Sequence, residues 1–343
     1  MLCCVLFTTA IIGGLLYYSY RLNSRPNSFI RLLPSGILKP EKIINLKYNS
    51  YYIAGQTREN IYLGNINSPF LVISVNLASG DTLKNLINTA KAKQLMQGAH
   101  LSVDSPYVYL KEGRMPILMY GKLNDLSLLS LPLDFYFTAS LSLSPNSHVF
   151  RVIDRELERN ILVKSSGGTV TKKIDILTKQ VDGVFCTDGK LIGDRTLNKL
   201  VYIYNYRNQF ICMDTNLKVL YKGKTIDTVT RVKFKIDTIK SEGKITTDSP
   251  LQFVNKNACT DDGLLFIQSG LRADNDVELY YENASAIDVY ALKDGKYLFS
   301  FYLPNYGRKK ARDFRVKGDQ LVALYERDLF SFKIHLPEKL LKK

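Results

Sequence analysis

The run I-D-V-Y-A-L-K-D-G-K-Y-L-F-S-F-Y-L-P from Ile287 to Pro304 is followed by a basic loop. It resumes as D-F-R-V-K-G-D-Q-L-V-A-L-Y-E-R-D-L-F-S-F-K-I from Asp313 to Ile334. The pattern is strand, tight turn, strand, loop, strand, tight turn, strand, turn, strand. Tyr, Phe and β-branched residues suit a pleated, half-buried surface. Asp294-Gly295 and Gly318-Asp319 supply the turn chemistry of hairpins. Asp188, Asp262, Asp294 and Asp319 all adjoin or precede Gly and are read as turn formers.

Looser copies recur upstream. Y-Y-I-A-G-Q-T-R-E-N-I-Y-L-G from Tyr51, H-L-S-V-D-S-P-Y-V-Y-L from His100, V-F-C-T-D-G-K-L-I from Val184 and A-C-T-D-D-G-L-L-F-I from Ala258 each open with an apolar strand and a short polar turn. A less clear opening lies between Phe135 and Val149. L-V-Y-I-Y-N-Y-R-N-Q-F-I-C-M-D from Leu200 parallels the hairpin at Ile287. These openings imply roughly six units of about 50 residues, the repeat length of a β-propeller. The expected fold is all-β, a six-bladed β-propeller, with seven blades as the alternative count. A pair of β-sandwiches or a solenoid is the alternative architecture. The last unit lacks room for four strands, so an N-terminal strand, Ile43–Leu46, is expected to join it and close the ring, removing exposed edges. Strands are also expected at Phe135–Leu143, Gly183–Thr187 and Arg231–Ile236. Leu83–Gln94 has apolar residues at helical spacing; a helical insertion and an irregular blade edge both fit it.

The N-terminus differs. Met1–Tyr20 carries no charged side chain, and twenty helical residues span about 30 Å, the thickness of a bilayer core. Tyr17, Tyr18 and Tyr20 stand where an interfacial aromatic belt would lie, and Arg21, Arg25 and Arg31 follow. No basic n-region or small-residue cleavage site marks a signal peptide. The expected organisation is a transmembrane anchor at 1–20, a linker at 21–36, a propeller at 37–336 and a basic tail at 337–343. The arginines argue for a cytoplasmic body, but long domains translocate largely regardless of charge.

The 343 residues carry a formal charge of +15, with Tyr 22, Phe 16 and no Trp. Lys and Arg are scattered, and no nucleic-acid motif accompanies them, so no nucleic-acid partner is expected. The densest basic run is Arg308, Lys309, Lys310, Arg312 and Arg315, the candidate interaction loop. Cys186, Cys212 and Cys259 show no metal or disulfide spacing and read as buried thiols. His100, His148 and His335 share no motif. Ser165–Thr169 could form an anion-binding nest or an ordinary turn. Asp274-Asn275-Asp276, with Glu278 and Glu282, could collect a hard cation, though a solvated loop is the simpler reading. No catalytic motif, metal site or cofactor site emerges.

The Ile287–Ile334 pattern resembles the TolB-like and NHL-type six-bladed propellers of bacterial envelope proteins. The anchor, with K-Y-N-S-Y-Y-I-A-G-Q-T from Lys47, resembles uncharacterised membrane-tethered propellers of such bacteria. The regular Asn-His-Leu signature is missing. The resemblance implies a single-pass cell-membrane protein with an extracytoplasmic, periplasmic propeller, and it carries over no catalytic residue. The expected function is a non-enzymatic binding, sensor or scaffold module for a protein, peptide or small ligand. The alternative is a propeller enzyme, a metal-assisted hydrolase or redox subunit working at the channel mouth.

Overall fold

Wherever a short polar turn interrupts an alternating run, the chain folds back on itself, and six four-stranded antiparallel sheets result. The structure is a computed structural model that describes residues 2–23, 28–88, 98–234, 236–239, 244–247, 251–307 and 309–341. Blade 1 is β2 (Tyr51–Gln56), β3 (Asn60–Asn65), β4 (Leu71–Asn76) and β5 (Thr82–Leu86). Blade 2 is β6 (His100–Asp104), β7 (Tyr107–Glu112), β8 (Ile117–Lys122) and β9 (Leu129–Pro132). Blade 3 is β10 (Ala139–Ser144), β11 (Ser147–Asp154), β12 (Arg159–Ser166) and β13 (Thr169–Lys173). Blade 4 is β14 (Gly189–Asp194), β15 (Lys199–Tyr204), β16 (Gln209–Asp214) and β17 (Val219–Lys224). A separate hairpin, β18 (Ile236–Ile239) with β19 (Lys244–Thr247), precedes blade 5. That blade is β20 (Asn255–Asp261), β21 (Leu264–Ser269), β22 (Ala284–Ala291) and β23 (Tyr297–Pro304). Blade 6 is β24 (Asp313–Lys317), β25 (Gln320–Leu324) and β26 (Asp328–Ile334), completed by β1 (Leu38–Asn45).

The expected closure is present. β1 runs antiparallel to β26 from Leu38↔Ile334 to Asn45↔Asp328. The first strand of each blade lies innermost: β2 meets β6 and β24, β14 meets β10 and β20, and β20 meets β24. The inner strands begin at 51, 100, 139, 189, 255 and 313, close to the openings read from the sequence. Gly295 (φ 77°) and Gly318 (φ 61°) occupy left-handed turns, as the two quoted hairpins require. The core sits between blades; Phe299, Phe301, Phe314, Leu321 and Phe332 fill one such layer.

Carboxylates at the far ends of inner strands tie neighbouring blades together. Asp194 accepts from the Gly263 amide at 3.0 Å, and Asp261 accepts from the Gly318 amide at 2.7 Å and pairs with Lys317 at 2.8 Å. Acids at the ends of inner strands therefore stitch the ring.

Some expected strands are corrected. β10 starts at Ala139; Phe135 and Phe137 pack their rings on Phe150 from the preceding loop. Gly183–Thr187 is a turn, because the Asp182 carboxylate caps the amides of Val184, Phe185 and Cys186. Among the described residues of Arg231–Ile236 only Ile236 enters a strand. Within Leu83–Gln94, residues up to Leu86 belong to β5; residues 89–97 lie outside the described residues.

Helix α1 covers Leu2–Asn23. Among the described residues no helix is long and apolar enough to cross a membrane. A short helix α2 (Glu278–Asn283) lies in the β21–β22 connection, and α3 (Glu338–Leu341) sets Leu340 and Leu341 against the blade 5–6 core.

Arg31, expected to flank an anchor, is instead buried. Its Nε donates to Asp288 at 2.8 Å, its Nη1 pairs with Asp276, and its Nη2 donates to Leu271 O at 3.1 Å. Asn275 accepts from the Arg31 amide at 2.9 Å, and Asp274 accepts from the Ser28 amide at 3.1 Å. The acidic cluster thus collects a guanidinium and the backbone around it. Burial opposes the charge on Arg31, but Asp288 and Asp276 outweigh it and hold its pKa above the ordinary value. Removing one member of a buried ion pair strands the others. Arg31→Ala is expected to lower unfolding stability by about 3–5 kcal/mol in urea denaturation; an unchanged midpoint would contradict this reading.

Candidate functional site

All six inner strands share one direction, so their first residues gather at one end of the channel and their middles line its interior. At the first end, Arg151 of β11 donates from Nη1 to Asp188 at 2.5 Å, to Gly189 O at 2.9 Å and to Tyr202 Oη at 3.1 Å. Its Nε donates to Thr138 at 2.8 Å, and Asn205 donates to the other Asp188 oxygen at 3.0 Å. Across the mouth, Asn257 and Arg315 both donate to Asp313 Oδ1, at 2.6 and 2.9 Å. Lys190 lies between these groups. Burial lowers its pKa, Asp313 and Asp188 act to raise it, and Arg315 lowers it further. Asp188, read as a turn former, is therefore a charge partner at the mouth.

Deeper in, a cavity of about 330 Å³ is lined by residues of every inner strand. Its walls are partly apolar, with Ala54, Val103, Leu141 and Ile192, and its polar lining includes Tyr109, Lys111, Arg195 and Arg315. Arg195 is ion-paired with Asp104, and Arg315 with Asp313.

Lys111 differs from both. It sits on β7, where Val108 to Glu112 are all buried, so a lysine at that position falls inside whichever way it points. Tyr109 and Lys111 alternate on one face of the strand. The Lys111 ammonium lies 5.5 Å from the centre of the Tyr109 ring. Burial lowers Lys111 from 10.5 to about 7, with no carboxylate among the described residues offsetting it. Tyr109 is fully buried and its hydroxyl has no partner, and burial pushes it up to about 12.

His148 backs this pair, its ring 5.9 Å from that of Tyr109. Nε2 faces the Pro145 carbonyl at 3.0 Å, so it must carry the proton; Nδ1 then accepts from the Ser142 hydroxyl at 3.0 Å. Burial pulls His148 down to about 4, the Pro145 contact acts to raise it, and Lys111 lowers it. The ring is neutral at pH 7.

The candidate interaction loop does not form one surface. Arg308 lies outside the described residues. Lys309 is paired with Glu326, and the Lys310 ammonium lies 5.5 Å from the Tyr281 ring centre. Arg312 donates to Tyr51 O at 3.1 Å and Glu326 O at 2.8 Å, tying blade 6 to blade 1. Arg315 points into the channel. His100 stacks near Tyr52 at 4.7 Å, and Ser165–Thr169 is the β12–β13 turn. Cys186, Cys212 and Cys259 are free and buried. Among the described residues no three His, Cys, Asp or Glu side chains gather where they could hold a metal ion.

No family model matches the chain, and neither does any curated protein. Solved structures do match. A member of the DUF4221 family from Bacteroides vulgatus is 13% identical with a TM-score of 0.52, over 91% of this chain and 100% of that one. A catalytically inactive virginiamycin B lyase from Staphylococcus aureus, solved with quinupristin, is 11% identical with a TM-score of 0.50, over 87% of this chain and 100% of that one. The likeness shows the six-bladed propeller fold.

The folded-state pKa of Lys111 lies below its unfolded value. The unfolded chain therefore binds more protons between about pH 7 and 10.5, and stability from this group rises with pH across that window. Its charge costs most below pH 7. Lys111→Met is expected to raise unfolding stability at pH 6 by about 1–4 kcal/mol and to remove this contribution to the pH slope. Urea denaturation at pH 6 and pH 9 measures both; a destabilised variant at pH 6 would contradict the assignment.

Proposed function

We propose that this chain is a membrane-anchored, single-pass β-propeller serving as a non-enzymatic binding, sensor or scaffold module. Its propeller lies on the extracytoplasmic, periplasmic side, and a protein, peptide or small ligand engages the channel. The observation that carries the binding role is the cavity of about 330 Å³ to which all six inner strands contribute. That volume lies in the range of small-ligand pockets, and its partly apolar walls carry fixed polar groups. The uncharged run Met1–Tyr20 and the helix over Leu2–Asn23 support the anchor. The aromatic residues at its end and the basic residues after it support a fixed position in the bilayer.

Two measurements test the proposal. The full chain is expected in the membrane fraction after carbonate extraction, and the double variant Ile12→Arg, Leu16→Arg in the soluble fraction, because a charge at a helix centre costs about 2.5–3.5 kcal/mol on insertion scales. Equal fractionation would contradict the anchor. An alkaline phosphatase fused to the C-terminus is expected to be active; an expressed but inactive fusion would place the propeller in the cytoplasm. For the binding role, native mass spectrometry of the detergent-solubilised chain is expected to show an adduct that Ser140→Phe, folded by its melting profile, loses. An adduct retained by that variant would remove the channel from the proposal.

A further inference from the structure

The charges lining the cavity, counted with their ion-pair partners, nearly cancel. Arg195 is paired with Asp104, and Arg315 with Asp313, which leaves Lys111 as the one cation of the lining without a carboxylate. Only 7% of Lys111 is exposed, and that exposure is to the cavity. The Tyr109 ring centre lies 5.5 Å from the Lys111 ammonium, the Tyr109 hydroxyl is buried without a partner among the described residues, and Ser102 and Ser140 line the same cavity. A buried lysine and an idle buried phenol both cost stability unless something pairs with them. Val103, Leu141 and Ile192 give the wall an apolar part. One excess positive charge beside apolar wall residues specifies a singly charged ligand with a hydrocarbon part.

We propose that the channel binds a monocarboxylate with a short apolar tail, its carboxylate held by Lys111 Nζ and its tail packed on Val103, Leu141 and Ile192. This rests on the channel-binding reading above and names its chemistry. A doubly charged anion such as inorganic phosphate fits worse, because Asp104 and Asp313 stand close to the same cations. A free short-chain acid and the C-terminus of a peptide both present a carboxylate on an apolar stem.

Binding is coupled to a proton. The titratable and charged groups lining the cavity with Lys111 are Tyr109 on its own strand, Asp104 of β6, Arg195 after β14, Cys259 of β20 and Arg315 of β24, and His148 of β11 packs behind Tyr109. His148 is neutral above about pH 4, and Tyr109 and Cys259 hold their protons to about 12. Lys111 alone among them titrates near neutrality, at about 7. A carboxylate selects its charged form, so affinity falls as pH rises above that value, approaching about tenfold per unit.

The experiment is isothermal titration calorimetry of the detergent-solubilised full chain. The probes are butyrate, hexanoate, inorganic phosphate, and a trialanine peptide with a free C-terminus or as its amide. At least one carboxylate probe is expected to bind, and phosphate and the amide are not. Binding is expected to weaken about tenfold from pH 7.5 to 8.5 and by at least tenfold in Lys111→Met. That variant is expected to fold more stably than the parent, so its loss of binding cannot come from unfolding. Tyr109→Phe is expected to weaken binding less. Butyrate or hexanoate binding without peptide binding identifies a free acid; peptide binding identifies a chain terminus. The proposal is overturned if no carboxylate binds, if Lys111→Met binds as the parent does, or if affinity does not change with pH. Failure here with a Ser140-sensitive adduct retained in native mass spectrometry would leave the channel-binding reading standing and remove only the carboxylate.

Discussion

Closure of the ring is the constraint on which the rest of the structure depends. β1 supplies the outer strand of a blade whose other three strands come from the far end of the chain. Without it, β26 would present an open edge, the kind of exposed ladder that recruits other chains. The pairing alone joins residues almost the whole chain apart, at the cost of closing a very long loop. Arg31 addresses that cost at the point of entry. Its guanidinium is locked between Asp276 and Asp288, so the backbone before β1 is already held on blade 5. The amide of Ser300 donates to Leu32 O at 2.8 Å, and the His335 amide donates to Ile37 O at 2.8 Å, which carries the attachment up to β1. The channel exists only because the ring is closed.

The blade frame was legible because it rests on local chemistry. Alternation and Asp-Gly or Gly-Asp turns act over a few residues, and so the inner-strand starts at 51, 100 and 313 could be read directly. The failures are also local. The Gly183–Thr187 run has strand-like residues, but the Asp182 carboxylate takes three successive amides and turns the chain before it can extend. Where a side chain competes for the backbone, strand propensity is a weak guide.

The site was much less legible, because its members come together through tertiary packing. Lys111 looks in sequence like an ordinary polar residue at a strand end. It is inside because both faces of β7 are covered, a fact about neighbouring blades. In sequence Arg31 reads as a bilayer flank and the Asp274–Asp276 cluster as a solvated loop. Nothing local joins them across 245 residues. The basic run near Arg308 separates for the opposite reason: residues adjacent in sequence diverge to a surface pair, a blade suture and the channel.

A lysine held in a closed channel without a counter-charge is the feature that structure and packing alone do not explain, since an apolar residue would fill the place at lower cost. The most direct measurement of that claim is the titration of Lys111 in the intact, solubilised chain by NMR of isotopically labelled lysine, assigned by comparison with a Lys111→Arg sample. The account predicts a midpoint of about 7 in the ligand-free protein. A midpoint near the ordinary 10.5 would mean that the ammonium is solvated or paired, and would contradict the account.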